Sequence, residues 1–262
     1  MFASKLSASF SDYTMMAVPA FLFVGVFMNE VGLTDRLFTG VEAWIGHLTG
    51  GLAHANVLAS MIFAGMSGSA LADAGGLGTI EVKTMRDAGY QDEFTVAVTA
   101  ASSVIGPIIP PSINFVMWAF LSGTSTMAMF MAGIVPGVLC GIMLMIWCYI
   151  SIKFLGIKAP KSRKCTWKER LHATWYAMPA VLGPAVLIAG IMSGAFTPTE
   201  CGVVAAAFCV AVAIGVKRFS FGMLLRALVR QHLLAAMVMA LSRHRLDLQL
   251  DDHHLRPGEC AF

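Results

Sequence analysis

The sequence predicts an all-α integral membrane protein, polytopic and helical, and three observations lead there. The 262 residues are 57% hydrophobic and only 13% charged, whereas soluble domains carry about 25% charge. So few charges cannot cover a water-exposed surface, and the mean hydropathy is +0.74. Several apolar runs approach or exceed the roughly 20 residues that a helix needs to cross the hydrocarbon core. Finally, two apolar segments are interrupted, at Gly65-Met66-Ser67-Gly68-Ser69 and at Gly106-Pro107-Ile108-Ile109-Pro110-Pro111-Ser112. Unpaired backbone groups survive at membrane depth only where protein buries them or a watery cavity reaches them. Paired interrupted helices are a pointer to a transporter's binding site.

Residues 1–14 form a mildly amphipathic segment with Lys5 and Asp12, expected at an interface. Residues 15–152 form the first membrane region. Met15 to Leu33 is long enough to span, and membrane helices tolerate its Pro19 and Gly25. Glu30, near its end, belongs either to the headgroup layer or to a polar pathway. A mixed stretch from Thr34 to Ala55 holds a short interfacial helix around Leu37–Leu48. Asn56–Met66 is too short to cross and is followed, after the Ser-Gly-Ser break, by another short helix, Ala70–Ile80, containing Asp73. Two half-length helices around a break describe a re-entrant hairpin. A polar stretch, 81–93, leads to the half-length helix Phe94–Ile105, which breaks at Gly106–Pro111 and continues as Ser112–Ser122. Met127 to Ile152 is a full span.

Residues 153–174 form a loop rich in Lys and Arg, with Lys153, Lys158, Lys161, Arg163, Lys164, Lys168 and Arg170 against Glu169. The positive-inside rule makes this loop cytoplasmic. Residues 175–241 hold further membrane helices: Trp175–Phe196, a turn without Lys or Arg at 197–200, Cys201–Val216, and a weaker stretch, Phe221–Leu241. Counting back, the hairpin opens from the cytoplasmic side and the second break lies mid-membrane. The polar residues 242–262 contain no span and form a tail.

Ser67, Gly68, Ser69 and Asp73 make the first candidate site. A sodium-type ion wants hard oxygen ligands, which freed carbonyls, hydroxyls and a carboxylate supply. A carboxylate buried in a membrane is costly and functional by default. Gly106, Pro107, Pro110, Pro111 and Ser112 make the second, because its prolines remove backbone donors and leave carbonyls free. Thr99, Ser102 and Ser103 lie on the helix leading into that break and serve either as interhelical glue or as ion ligands. Gly65-Met66-Ser67-Gly68 also matches the G-x-S-G of intramembrane serine proteases, which need a histidine base within reach. The histidines fall in no convincing span. Asp251-Asp252-His253-His254 with Cys260 lacks the spacing of a metal site. The six cysteines show no C-x-x-C spacing and imply neither disulfides nor metal. No basic stripe with interleaved aromatics points to nucleic acid.

Residues 50–113, GGLAHANVLASMIFAGMSGSALADAGGLGTIEVKTMRDAGYQDEFTVAVTAASSVIGPIIPPSI, resemble the large membrane subunit, DctM type, of the tripartite ATP-independent periplasmic (TRAP) transporters. AVPAFLFVGVFMNEVGLTDRL at 17–37, FMAGIVPGVLCGIML at 130–144 and GAFTPTECGVVAA at 194–206 are similar to it in the same order. The resemblance runs from about residue 10 to about residue 230. It implies a sodium-coupled importer of organic acids such as C4-dicarboxylates, not an enzyme, in the bacterial inner membrane, with sodium as coupling ion and no other cofactor. It implies two partners, a small membrane subunit and a periplasmic substrate-binding protein. The fold it implies is an elevator-type transporter of two inverted repeats, of which residues 15–152 are the first and 175–241 the start of the second. By this match Ser67, Gly68 and Ser69 form the hairpin tip, with Asp73 beside it. Ser103, Gly106, Pro110, Pro111 and Ser112 belong to the unwound helix, and both elements contribute cation or substrate ligands. Because the family pattern stops after about Gln231, the expectation is an incomplete subunit, as a frameshift or truncated reading frame would produce.

Overall fold

A computed structural model describes residues 17–160, 165–193 and 196–236. The expected interfacial segment 1–14 and the tail 242–262, with Asp251–His254 and Cys260, lie outside the described residues. Among the described residues the chain is helical, with no strand. Helix α1 (Ala17–Val31) turns by 75° into α2 (Leu33–Ile45) at the left-handed Gly32. Next come α3 (Gly51–Ser67), α4 (Ala70–Gly75), α5 (Leu77–Asp87) and α6 (Asp92–Ser103). Helix α7 (Ile113–Ser122) follows the second break, and α8 (Thr126–Phe154), α9 (Trp167–Met192) and α10 (Pro198–Gly215) are the long apolar helices. A last helix covers 221–236. Among the described residues three helices are long and apolar enough to cross a membrane, or four if the bent pair α1–α2 counts as one span.

Several expected boundaries move, each for a visible reason. Asn56–Met66 is part of a longer helix, because α3 starts at Gly51 and buries Leu52, Ala53 and Ala55 before the expected start. Ala70–Ile80 is not one helix. It breaks at Gly76, whose α-carbon lies so close to the Asn29 amide that any β-carbon would overlap it. Helix then resumes and runs through the first half of the polar stretch 81–93. The basic loop 153–174 is shorter than its composition suggests, because α9 begins at Trp167. There the Glu169 carboxylate accepts the Thr166 N–H at 2.6 Å, which satisfies one of the free donors of a helix start. The same device opens α10, where Thr197 and Glu200 form a full capping box.

The core sits around α1, which is apolar on every side and buried along most of its surface, as expected of a helix enclosed by others. Helix α10 packs on α1, α9 on α2 and α3, and α3 on α6 and α8. The α2–α9 seam also carries a hydrogen bond from Trp44 Nε1 to Thr174 Oγ1 at 2.8 Å, and Arg36 lies over the Tyr176 ring at 4.3 Å. Glu30 meets Arg230 at 3.5 Å and Arg226 at 3.7 Å, so the end of α1 is tied to the helix 221–236.

Helix α8 is the outer wall. Only 22% of its most apolar window is buried, and Val135, Leu139, Met143 and Trp147 point outward. Its inner stripe is Gly133, Gly137 and Gly141, and small residues let helices approach where lipid removes the hydrophobic drive for association. A β-carbon on Gly133 would meet the Phe115 ring, one on Gly137 would meet Ile109 Cγ1 at 2.5 Å, and one on Gly141 would meet Met61. The stripe thus seats α8 directly against the second break. Gly137→Leu is expected to lower thermal stability in detergent by about 1–3 kcal/mol through overpacking. Val138→Leu, one residue away on the outward face, leaves the melting temperature unchanged in the same measurement.

Candidate functional site

The site forms where the two breaks touch. Ser67 ends α3, Gly68 adopts φ 55° and ψ 15°, and Ser69 opens α4 by accepting the Ala72 N–H on its hydroxyl at 3.4 Å. The Gly68 N–H closes α3 by donating to Ala64 O at 3.2 Å, a left-handed helix cap that glycine tolerates without cost. The Gly68 carbonyl accepts the N–H of Ile113, the first residue of α7, at 3.3 Å. One backbone hydrogen bond therefore joins the hairpin tip to the broken helix.

The second break is held by its own residues. Ser112 caps α7 by accepting the Phe115 N–H at 3.3 Å, and its hydroxyl donates back across the break to Pro107 O at 2.5 Å. The Pro110–Pro111 peptide bond is cis. Gly106, Pro110, Pro111 and Ser112 are all buried. The fit between the breaks is close. A β-carbon on Gly68 would collide with Pro111 O, and one on Gly106 would lie 3.5 Å from the Ala70 nitrogen. Helix α1 closes the junction from another side, since Gly25 faces Ser67 at a distance where a β-carbon would sit 3.0 Å from Ser67 Cβ. Helices α4 and α7 both begin at this junction, so the partial positive ends of their dipoles converge on it.

Ser67, Gly68, Ser69, Gly106, Pro110, Pro111 and Ser112 are thus assembled at one place, although 36 residues of chain, 70–105, separate the two breaks. Asp73 stands one turn further along α4. It is 0% exposed and neither carboxylate oxygen has a hydrogen-bond partner. The hydroxyls of Ser60 and Ser103 sit beside its carboxylate. Ser67 Oγ is also buried without a partner.

Of the polar residues of α6, Thr99 and Ser102 make hydrogen bonds to α3. Thr99 Oγ1 accepts from Asn56 Nδ2 at 2.8 Å, and Ser102 Oγ donates to Asn56 Oδ1 at 2.7 Å and accepts from Ser60 Oγ at 3.3 Å. These two residues bind α6 to α3. Ser103 instead donates to Thr99 O on its own helix at 2.8 Å and faces Asp73. Sequence reasoning missed Asn56 and Ser60, which lie four residues apart on an apolar helix and so share a face. It also missed Glu81, assigned to a polar connecting stretch and in fact 0% exposed.

A serine protease reading finds no support in this geometry. Ser67 Oγ has no hydrogen-bond partner. His54, on the same helix, is thirteen residues earlier in the chain, about 20 Å along the axis. Among the described residues no group of three or more His, Cys, Asp or Glu side chains could hold a metal ion. A separate cleft of about 260 Å³, lined by Asn29, Glu30, Thr34, Gly76, Thr79 and Arg230 among others, touches none of the expected site residues.

Gly68 and Gly123 both sit in the left-handed region, at φ 55° and 65°, but only Gly68 has neighbours within reach of a β-carbon. Both alanine substitutions carry the left-handed penalty of about 1–2 kcal/mol. Gly68→Ala must also push the two breaks apart, so its loss of thermal stability is expected to exceed that of Gly123→Ala measured alongside it.

The chain matches known proteins over most of its length. Residues 1–242 fit the family model described as tripartite ATP-independent periplasmic transporter, DctM component, so the match runs past Gln231, where the sequence reading ends the resemblance. The chain is 44% identical over 207 residues to the sialic acid TRAP transporter large permease protein SiaM of Vibrio cholerae, covering 79% of this chain and 48% of that protein. It is 39% identical over 216 residues to the C4-dicarboxylate TRAP transporter large permease protein DctM of Pseudomonas aeruginosa, covering 82% and 50%. To the isethionate TRAP transporter permease protein DctMQ of Oleidesulfovibrio alaskensis it is 38% identical over 198 residues, covering 76% and 31%. The chain spans about half the length, or less, of these curated relatives.

Proposed function

The chain belongs to the DctM component family of tripartite ATP-independent periplasmic transporters, and from that membership we propose that it serves as large-permease sequence in a sodium-coupled symporter of organic acids. The substrate class is a C4-dicarboxylate or a related acid. The relatives named for sialic acid, C4-dicarboxylate and isethionate share an anionic group as the common feature of their substrates. The partners are a small membrane subunit and a periplasmic substrate-binding protein, and the setting is the bacterial inner membrane with the basic loop after α8 on the cytoplasmic side. Transport belongs to the assembled system, to which this chain contributes one hairpin and one broken helix. Its role is permeation and not catalysis.

The observation that carries this reading is the hydrogen bond from Ile113 N–H to the Gly68 carbonyl. It brings two unwound stretches and two helix starts to one buried point. Backbone oxygens and serine hydroxyls there are hard ligands suited to sodium, and the helix starts favour a carboxylate nearby. Sodium bound across the junction would fix the relative position of the hairpin and broken helix. The cavity for the acid is then preorganised before the transport unit moves and exposes it inward.

The test is uptake of labelled organic acid into proteoliposomes that hold the complete three-part system, with and without an inward sodium gradient. Ser67→Ala and Asp73→Asn are each expected to lower sodium-dependent uptake by about tenfold or more, the scale of losing one ligand-shell group. Uptake that keeps its sodium dependence in both variants would remove these residues from the site.

A further inference from the structure

We propose that the cleft between the hairpin and the end of α1 binds a small hydroxylated organic acid, at a site separate from the junction of the two breaks. The proposal rests on the transport reading above only for the class of acid. The cleft holds about 260 Å³, room for a small acid and less than a drug-sized ligand needs. Three parts of the chain wall it. Asn29 and Thr34 come from the bend between α1 and α2, Gly75 and Gly76 from the turn between α4 and α5, and Arg230 from the helix 221–236. Neither Asp73 nor Glu81 lines it. Two polar atoms in its wall lack partners. Thr34 is 1% exposed, and its hydroxyl makes no hydrogen bond. Asn29 donates its amide N–H to Ala72 O at 3.4 Å, which leaves its buried Oδ1 free. Buried groups left in this way are costly until a ligand satisfies them. The Thr34 hydroxyl can donate to a carboxylate, whereas the Asn29 oxygen only accepts. A ligand that suits both brings a carboxylate and an O–H of its own.

The charges favour the same ligand. At this end of α1, Glu30 and Asp35 stand against Arg218, Arg226 and Arg230, so positive charge is in excess. Arg226 and Arg230 meet Glu30 at 3.7 and 3.5 Å, longer than a good N–H···O bond. A guanidinium carries five N–H donors, so Arg230 keeps donors for a carboxylate, which it can grip by two parallel bonds. The turn leaves space for the acid, because a β-carbon on Gly75 would meet nothing within 4 Å. The side of the membrane fits as well. Helix α10 runs into Lys217 and Arg218, and the Arg218 guanidinium lies beside Gly32 at the bend. The positive-inside rule sets this basic end in the cytoplasm, the compartment into which an importer delivers its acid.

The experiment is thermal unfolding of the full chain in detergent, titrated with sodium L-malate against sodium chloride at constant ionic strength and fixed pH. Wild type is expected to gain stability with malate, because a ligand that binds only the folded state shifts the transition by mass action. Arg230→Gln and Thr34→Val are each expected to raise the half-saturating malate concentration by about tenfold, the scale of a lost hydrogen bond to a charged group. Gly75→Leu, which fills the cleft without meeting a neighbour at its β-carbon, is expected to abolish the response. Lys153→Gln removes an exposed cation outside the cleft and is expected to respond as wild type. Absence of a malate response in wild type overturns the proposal, as does an unchanged half-saturation in Arg230→Gln and Gly75→Leu. Glycerol phosphate in place of malate tests the headgroup chemistry of an anionic lipid, and tighter saturation by it assigns the cleft to lipid and overturns the organic acid. If Ser67→Ala abolishes the malate response while Gly75→Leu keeps it, the acid binds at the junction, the transport reading stands and the cleft falls. A response lost in Gly75→Leu and weakened in Arg230→Gln supports the cleft whatever the uptake assay returns.

Discussion

The structure depends on a constraint of the lipid phase: a backbone group that leaves a helix at membrane depth must find a partner within the protein. The chain breaks helix at residues 68–69 and 104–112, and one backbone hydrogen bond joins the two. The Gly68 carbonyl accepts the N–H of Ile113, and the missing side chain of Gly68 leaves room for Pro111 O. Apart, each break would expose unpaired polar backbone. Together they form a buried junction with two helix starts facing it. The hairpin and the broken helix are consequently one unit, although they fold from separate stretches of sequence.

The surrounding helices serve that junction. Helix α1 presents Gly25 to Ser67, α8 presents Gly133 and Gly137 to residues 108–115, and α9 sets Pro184 against Gly65. In water, burial of apolar area would drive such packing. In lipid the drive is weaker, and van der Waals fit between small residues replaces it. That is why glycine and alanine crowd the inner surfaces here, while large side chains such as Trp118, Trp147 and Phe154 lie on the outside.

Polar side chains inside the bundle fall into two kinds. Asn56, Thr99 and Ser102 are satisfied by one another and act as fasteners between α3 and α6. Ser67, Asp73 and Glu81 are buried and unsatisfied. Burying an ionisable group without a partner at membrane depth is costly, so this contrast separates side chains that fasten the bundle from side chains that the rest of the chain leaves unpaired.

Composition and breaks alone determined the class of protein, the hairpin, the broken helix and most of the junction residues. The reason is physical: low charge excludes a solvated surface, and Gly-Ser or Pro-rich interruptions inside apolar runs have few permitted uses in lipid. Family membership was legible in the same motifs, since they sit in the stretch with the fewest alternatives. Boundaries were less legible. The start of α9 at Trp167 depends on a local carboxylate cap in a charged stretch that otherwise reads as loop, and the break at Gly76 depends on Asn29, 47 residues away. Only the tertiary structure decided that Glu81 is buried, that Asn56 is a fastener, and that Glu30 meets two arginines of a later helix. A charged residue in a polar stretch looks solvated in sequence. Whether water or protein surrounds it is settled by helices packed from elsewhere in the chain, and local pattern carries no information about them.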